Sequence, residues 1–232
     1  MDKHSKLRTL AKIRQTTRWE GYKRIGDYQR GAYECQYVSP FTKSAGNVDA
    51  EVFVLLQDWS SDDSLRLGLD DETVTLGHTP SLATNRNLMR LLRSAFGLTL
   101  ADTYATNLFP FIKLGPMNAP IPQRDLIRAA REFALPQIQI VRPKIVICLG
   151  LVTFKAMQRA CGLPTSQKMD IAIRSPFKYD SVSIWCQAHT GGLGQNTRNR
   201  GGVDRVTSDW QEMKRAVSLP TRKSSQNRLT KR

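Results

Sequence analysis

The chain has 232 residues, 40% of them hydrophobic, which suits one domain of ordinary size and is too little for two full ones. Apolar runs such as Ile145–Leu149 are strand-sized, far below the roughly 20 residues that span a bilayer, and the polar start Met1-Asp2-Lys3-His4-Ser5-Lys6 has no secretory h-region. A membrane protein is not expected, and a cytoplasmic, nucleoid-associated location is. Formal net charge is +15, with +6 in residues 1–30 and +7 in residues 214–232, so the middle carries only +2. Two basic ends on a nearly neutral body point to arms that neutralise phosphates without reading sequence.

In chain order, Lys3 to Trp19 reads as a basic helix, followed by Gly21, Gly26 and Gly31, so residues 1–40 are expected to form a basic N-terminal arm that packs weakly. Four apolar strand candidates then alternate with helical patterns: Glu51–Gln57, Thr103–Leu108, Lys144–Leu149 and Ser183–Ala188. The helices are expected over Asn85–Phe96, Pro122–Val141, Thr153–Cys161 and Val203–Val217. That alternation predicts an α/β fold, a three-layer α/β/α sandwich on a central four-stranded parallel sheet, occupying residues 41–217. Residues 218–232 are charged and short of apolar side chains, the composition of a basic disordered tail.

Cys35, Cys148, Cys161 and Cys186 form no C-x-x-C pair and have no histidine at ligand spacing, so they are expected as small buried hydrophobes, with neither metal nor cofactor.

Chemistry in open parallel sheets collects at the carboxyl ends of the strands. Here those ends read Gln57-Asp58-Trp59-Ser60-Ser61, Asn107-Leu108-Phe109-Pro110, Gly150-Leu151 and His189-Thr190-Gly191-Gly192-Leu193, supplying an acid, an amide and an imidazole.

The chain resembles the uracil-DNA glycosylase superfamily from roughly Val48 to Trp210. Val52 to Asp58 resembles the strand running into G-Q-D-P-Y, with Leu56 for Gly and Trp59 for Pro. Tyr104 to Leu108 resembles the T-N-hydrophobic strand end, and Arg142 to Gly150 the P-K-hydrophobic-L-G strand of the thermophilic branch. His189 to Leu193 stands in the place of H-P-S-P-L. Features of two branches are therefore mixed. In the thermophilic branch four cysteines hold an iron–sulfur cluster, and the resemblance puts two of them near Pro110-Phe111 and Phe133-Ala134, where this chain has none.

The resemblance implies hydrolysis of the N-glycosidic bond of uracil, and of other deaminated or 5-modified bases, in DNA at the start of base excision repair. The bond breaks with cationic character on the sugar and negative charge on the base. Asp58 would stabilise the sugar cation and orient water, and His189 would donate to O2 of the departing base, a donor worth about 3 kcal/mol. Asn107 would pair with O4 and N3–H, an edge that cytosine reverses. The backbone N–H groups of Gln57 and Asp58 would also reach O2. Ser60 replaces the tyrosine that closes the pocket against a 5-methyl group, so a roomier pocket is expected unless Trp59 fills it. An aromatic to stack on the base is sought between Asp58 and Asn85, where His78 is the substitute. Leu193 would fill the stack that the flipped base vacates, and Arg198, Arg200 and Arg205 would contact phosphates.

Two rival readings use the same residues. A metal-dependent nuclease would gather Asp58, Asp62, Asp63 and His189 around Mg²⁺. A non-catalytic nucleic-acid-binding protein would keep the fold without the chemistry.

Overall fold

The first forty residues are folded onto the rest of the molecule. Asp2 caps α1 (Lys3–Thr16) by accepting from the Ser5 amide, and Leu7, Leu10, Ala11 and Arg14 make its buried stripe. Arg14 is wholly enclosed, ion-paired to Glu34 at 2.6 Å and donating to the Tyr37 carbonyl at 2.8 Å. Beyond the helix, Trp19 is buried against Phe109, Phe111 and Phe133, with ring centroids 5.9, 4.8 and 6.4 Å away, and leads into β1 (Tyr22–Lys23). The expectation of a weakly packed arm is thus corrected: the spacing of its apolar residues makes one face of α1, and Trp19 anchors the segment in the core. The computed structural model describes residues 1–217, and the basic tail expected at 218–232 lies outside them.

Next come β2 (Val52–Asp58), α2 (Asp62–Arg66), α3 (Asp71–Leu76), α4 (Ala83–Phe96), β3 (Tyr104–Phe109) and β4 (Ile112–Lys113). They are followed by α5 (Gln123–Ala129), α6 (Leu135–Val141), β5 (Ile145–Leu149), α7 (Leu151–Ala160), α8 (Met169–Arg174), β6 (Phe177–Tyr179), β7 (Val182–Gln187), α9 (Gly192–Arg198) and α10 (Arg205–Ala216). The helix expected over 122–141 is present as α5 and α6 joined by a π-turn at Ala130–Ala134. Pro136 lies in the first turn of α6 and has no N–H for Glu132, which accounts for the local widening.

The sheet runs β3-β2-β5-β7-β6. Its first four strands are the expected parallel set, and β6 adds an antiparallel edge paired with β7. Both faces are covered, so β2 is apolar from Val52 to Leu56 rather than alternating with polar residues. Phe53 and Leu55 enter the core shared with α1, α5, α6 and α7, whereas Val52, Val54 and Leu56 enter the one shared with α4 and α10. In α4 the buried residues Leu88, Leu91, Leu92, Ala95 and Phe96 follow the period of a helix lying on a sheet.

Where the resemblance puts two cluster cysteines, this chain packs aromatic rings. Phe111 and Phe133 meet edge-on at 5.8 Å, with Phe109 and Trp19 beside them. Cys148 and Cys186 are buried and face each other in register on β5 and β7, and burial pushes the Cys186 thiol up to about 12. Among the described residues, no helix is long and apolar enough to cross a membrane.

Candidate active site

Parallel pairing brings the carboxyl ends of β2, β3 and β7 to one edge of the sheet, and a cavity of about 890 Å³ opens there. Asp58, Asn107 and His189 line it together, so residues up to 131 positions apart in the chain converge as expected. Gln57, Trp59, Ser60, His78 and Leu193 line the same cavity.

Asp58 is the last residue of β2 and is held at both carboxylate oxygens. The Gln57 amide donates to Oδ1 at 3.0 Å, and the Lys113 ammonium lies 2.8 Å from Oδ2. Oδ2 is buried and meets the ammonium as an ion pair without a hydrogen bond, whereas Oδ1 keeps a lone pair for a water or a substrate.

Asn107 is 1% exposed. Ser39, itself buried, accepts from the Phe41 amide at 3.2 Å and spends its one hydroxyl proton on Asn107 Oδ1 at 2.6 Å. That fixes the orientation of the amide. Nδ2 is left buried with no hydrogen-bond partner in the protein, on a residue that lines the cavity. A buried donor without an acceptor costs roughly 1–3 kcal/mol, a penalty that an incoming carbonyl would relieve.

His189 follows β7 and turns its Nδ1 to the Gly191 amide, which donates to it at 3.0 Å. Nδ1 is therefore unprotonated, and the proton of the neutral ring sits on Nε2. Burial holds the imidazole below its ordinary 6.5, with Asp58 pulling the other way. The ring is thus a neutral donor at pH 7. Its loop tolerates little change, since a Cβ at Gly194 would stand 2.2 Å from the His189 carbonyl oxygen.

One cavity wall is aromatic. His78 is buried with its ring tilted over Phe41 at 5.1 Å, and both residues line the cavity. Gly77 lets this wall close: a Cβ there would lie 1.8 Å from the Pro40 carbonyl oxygen, and its own φ is +76°. The Gly77 carbonyl accepts from the Trp59 indole at 2.8 Å, while the Trp59 ring meets Tyr33 edge-on. Trp59 is thereby tied to the wall.

At the rim, Leu193 on α9 is 84% exposed. Arg200 and Arg205 lie exposed outside the cavity. Arg198, expected at the phosphates, is instead turned inward: Nε and Nη2 donate to Asp209 at 2.6 and 2.9 Å, and Nη1 bonds Asp170. Its charge is spent on tying α9 to α8 and α10, so the expectation of a phosphate contact is corrected for this residue. Asp62, which the nuclease reading needs beside Asp58, is likewise engaged elsewhere. It accepts from Tyr28 at 2.6 Å, Arg66 at 2.9 Å and Lys23 at 3.1 Å. These partners, Tyr28 foremost, hold its carboxyl down at about 2. Among the described residues, no three His, Cys, Asp or Glu side chains gather as a metal site.

Sequence reasoning missed Ser39, Phe41 and Lys113. Phe41 precedes β2, outside the stretch searched for a stacking ring. Lys113 did leave a signal, as the one charge in the apolar run Phe109-Pro110-Phe111-Ile112-Lys113-Leu114.

These features define an α/β/α sandwich with an acid, an oriented amide and a neutral imidazole around one cavity. The chain matches the family model of the uracil DNA glycosylase superfamily over residues 39–214, and it belongs to that superfamily. Over 92 residues it is 27% identical to a type-4 uracil-DNA glycosylase of Pyrobaculum aerophilum, covering 40% of this chain and 45% of that protein. Over 63 residues it is 38% identical to a type-4 uracil-DNA glycosylase of Saccharolobus solfataricus, covering 27% of this chain and 28% of that protein. The chain thus matches less than half the length of either curated relative.

Proposed function

We propose that the protein is a DNA glycosylase that hydrolyses the N-glycosidic bond of uracil, and of related 5-modified or deaminated bases, as the opening step of base excision repair. The observation that carries this reading is the convergence of Asp58, Asn107 and His189 on one cavity. The Asp58 carboxylate faces the cationic sugar and orients the attacking water. The His189 Nε2–H donates to O2 as negative charge grows on the base, and a neutral donor does so without first giving up a solvated proton. The Asn107 Nδ2 donates to O4, and its Oδ1 keeps one lone pair for N3–H. Phe41 and His78 offer the flat face against which the extruded ring lies.

A base inside a duplex must leave the stack to reach this cavity. The exposed Leu193 at the rim fills the gap, while Arg200 and Arg205 meet the phosphates. The serine at position 60 leaves the C5 side of the base open, which favours tolerance of 5-substituted uracils.

The test is incubation of uracil-containing and 5-hydroxymethyluracil-containing oligonucleotides, single- and double-stranded, in EDTA, followed by alkali cleavage of abasic sites. Strand breaks only after alkali, undiminished by chelation, are expected. Chelator-sensitive breaks without alkali would indicate a nuclease, and DNA binding without base release a binder.

A further inference from the structure

Lys113 is 3% exposed, and its ammonium has two neighbours: the Met117 carbonyl, to which it donates, and Asp58 Oδ2 at 2.8 Å. It is carried on β4, a two-residue strand whose backbone partners are far away in the chain. Tyr22 of β1 stands opposite Lys113 in an antiparallel pair, and Ser61 makes a parallel bridge to it. Burying an ammonium and a carboxylate together costs desolvation that a pair of apolar side chains would not incur. As a device for stability alone, the pair is a poor one. It lines the cavity at the residue on which the proposed chemistry turns.

We propose that Lys113 is a positioning residue for Asp58: its charge fixes the carboxylate in the rotamer from which it faces the sugar and the attacking water. This rests on the glycosylase reading. With Gln57 donating to Oδ1 and the Lys113 ammonium 2.8 Å from the buried Oδ2, the carboxylate is held from two sides on a residue that lines the cavity. The N-terminal segment thereby reaches the reaction through β1, without touching the base. Lys113 acts through Asp58 and does not contact the base, so its loss lowers the rate of the chemical step and leaves substrate binding alone.

The experiment is single-turnover excision from a uracil-containing oligonucleotide, with wild type, Lys113→Met, Lys113→Gln and Lys113→Arg, each also in an Asp58→Asn background, alongside thermal melts. Gln retains a donor for the Met117 carbonyl, so it keeps the strand together should Met not fold. The neutral variants are expected to lose about tenfold or more in maximal rate with half-saturation within about twofold of wild type. Arg, which restores a cation, should recover most of the loss, and in the Asp58→Asn background the Lys113 substitutions should cost nothing further. An unchanged rate in folded Lys113→Gln would overturn the proposal, and so would losses that multiply with Asp58→Asn. A wild-type protein that releases no uracil at all would remove the glycosylase reading itself, and the role with it.

Discussion

Asp58, Asn107 and His189 each owe their state to a neighbour, and for Asp58 and Asn107 that neighbour includes a residue outside every motif, Lys113 and Ser39 respectively. For Asn107 that neighbour is Ser39, whose single proton decides which edge of the amide faces the cavity. Ser39→Ala frees the amide to turn and accept a hydrogen bond from an amino group. The ratio of kcat/KM for uracil over cytosine is predicted to fall by about tenfold, the low end of what one oriented bidentate pair discriminates. An unchanged ratio, measured on otherwise identical oligonucleotides, would mean that Ser39 does not set the edge. For His189 the neighbours are the Gly191 amide and the enclosing wall. The unfolded imidazole titrates near its ordinary 6.5, whereas burial holds both His189 and His78 lower in the native state. Above that value neither form binds the proton, and stability is unaffected. As pH falls through and below it, the unfolded chain takes up protons that the native one refuses, so stability is lost on the acid side. Urea midpoints followed from about pH 7.5 to about pH 5 should decline, and His189→Gln should flatten the decline. Equal slopes for the two proteins would show that this imidazole is not held neutral.

The elements that place these side chains were legible to different degrees. β2, β3, β5 and β7 were readable because strands buried on both faces are continuous apolar runs, and α4 because its apolar period is that of a helix on a sheet. β1 and β4 were not, since two-residue strands carry no periodicity and their partners lie far away in the chain. β6 is short and half-exposed, with no apolar run to announce it. The packing of α1 was misjudged because its many lysines and arginines concealed a stripe of three apolar residues, and because the partners of Trp19 lie some ninety residues and more downstream. Arg198 shows the same limit in reverse. A basic loop residue in sequence proves to be the latch between α9 and α10, because Asp209 lies opposite it in space. Arg198→Ala is predicted to destabilise the fold by about 3 kcal/mol, since Asp209 is left buried without its cation. It should leave the salt dependence of DNA binding unchanged, whereas Arg200→Ala should reduce the slope by about one phosphate contact. Denaturant melts and binding titrations across salt concentrations separate the two residues, and a reduced slope for Arg198→Ala would count against the latch.

At the scale of the whole molecule, the excess positive charge has a different meaning once the fold is known. Part of the N-terminal charge is neutralised within the domain, where Lys3 pairs with Asp49, Arg14 with Glu34 and Lys23 with Asp62. The segment that looked like an electrostatic arm also supplies Trp19 to the aromatic core, β1 to the strand bearing Lys113, and Ser39 to the back of Asn107. The acid, the amide and the imidazole were readable from strand ends alone, because a parallel sheet makes distant strand ends neighbours. Ser39 and Lys113 behind them were not, because these come from outside the strand–helix repeat. The most direct measurement of the central claim is single-turnover uracil excision by wild type, Asp58→Asn and His189→Gln, each shown to be folded by its melting curve. Each substitution is predicted to slow base release by about a hundredfold or more. Excision at the wild-type rate by either folded variant would contradict the account.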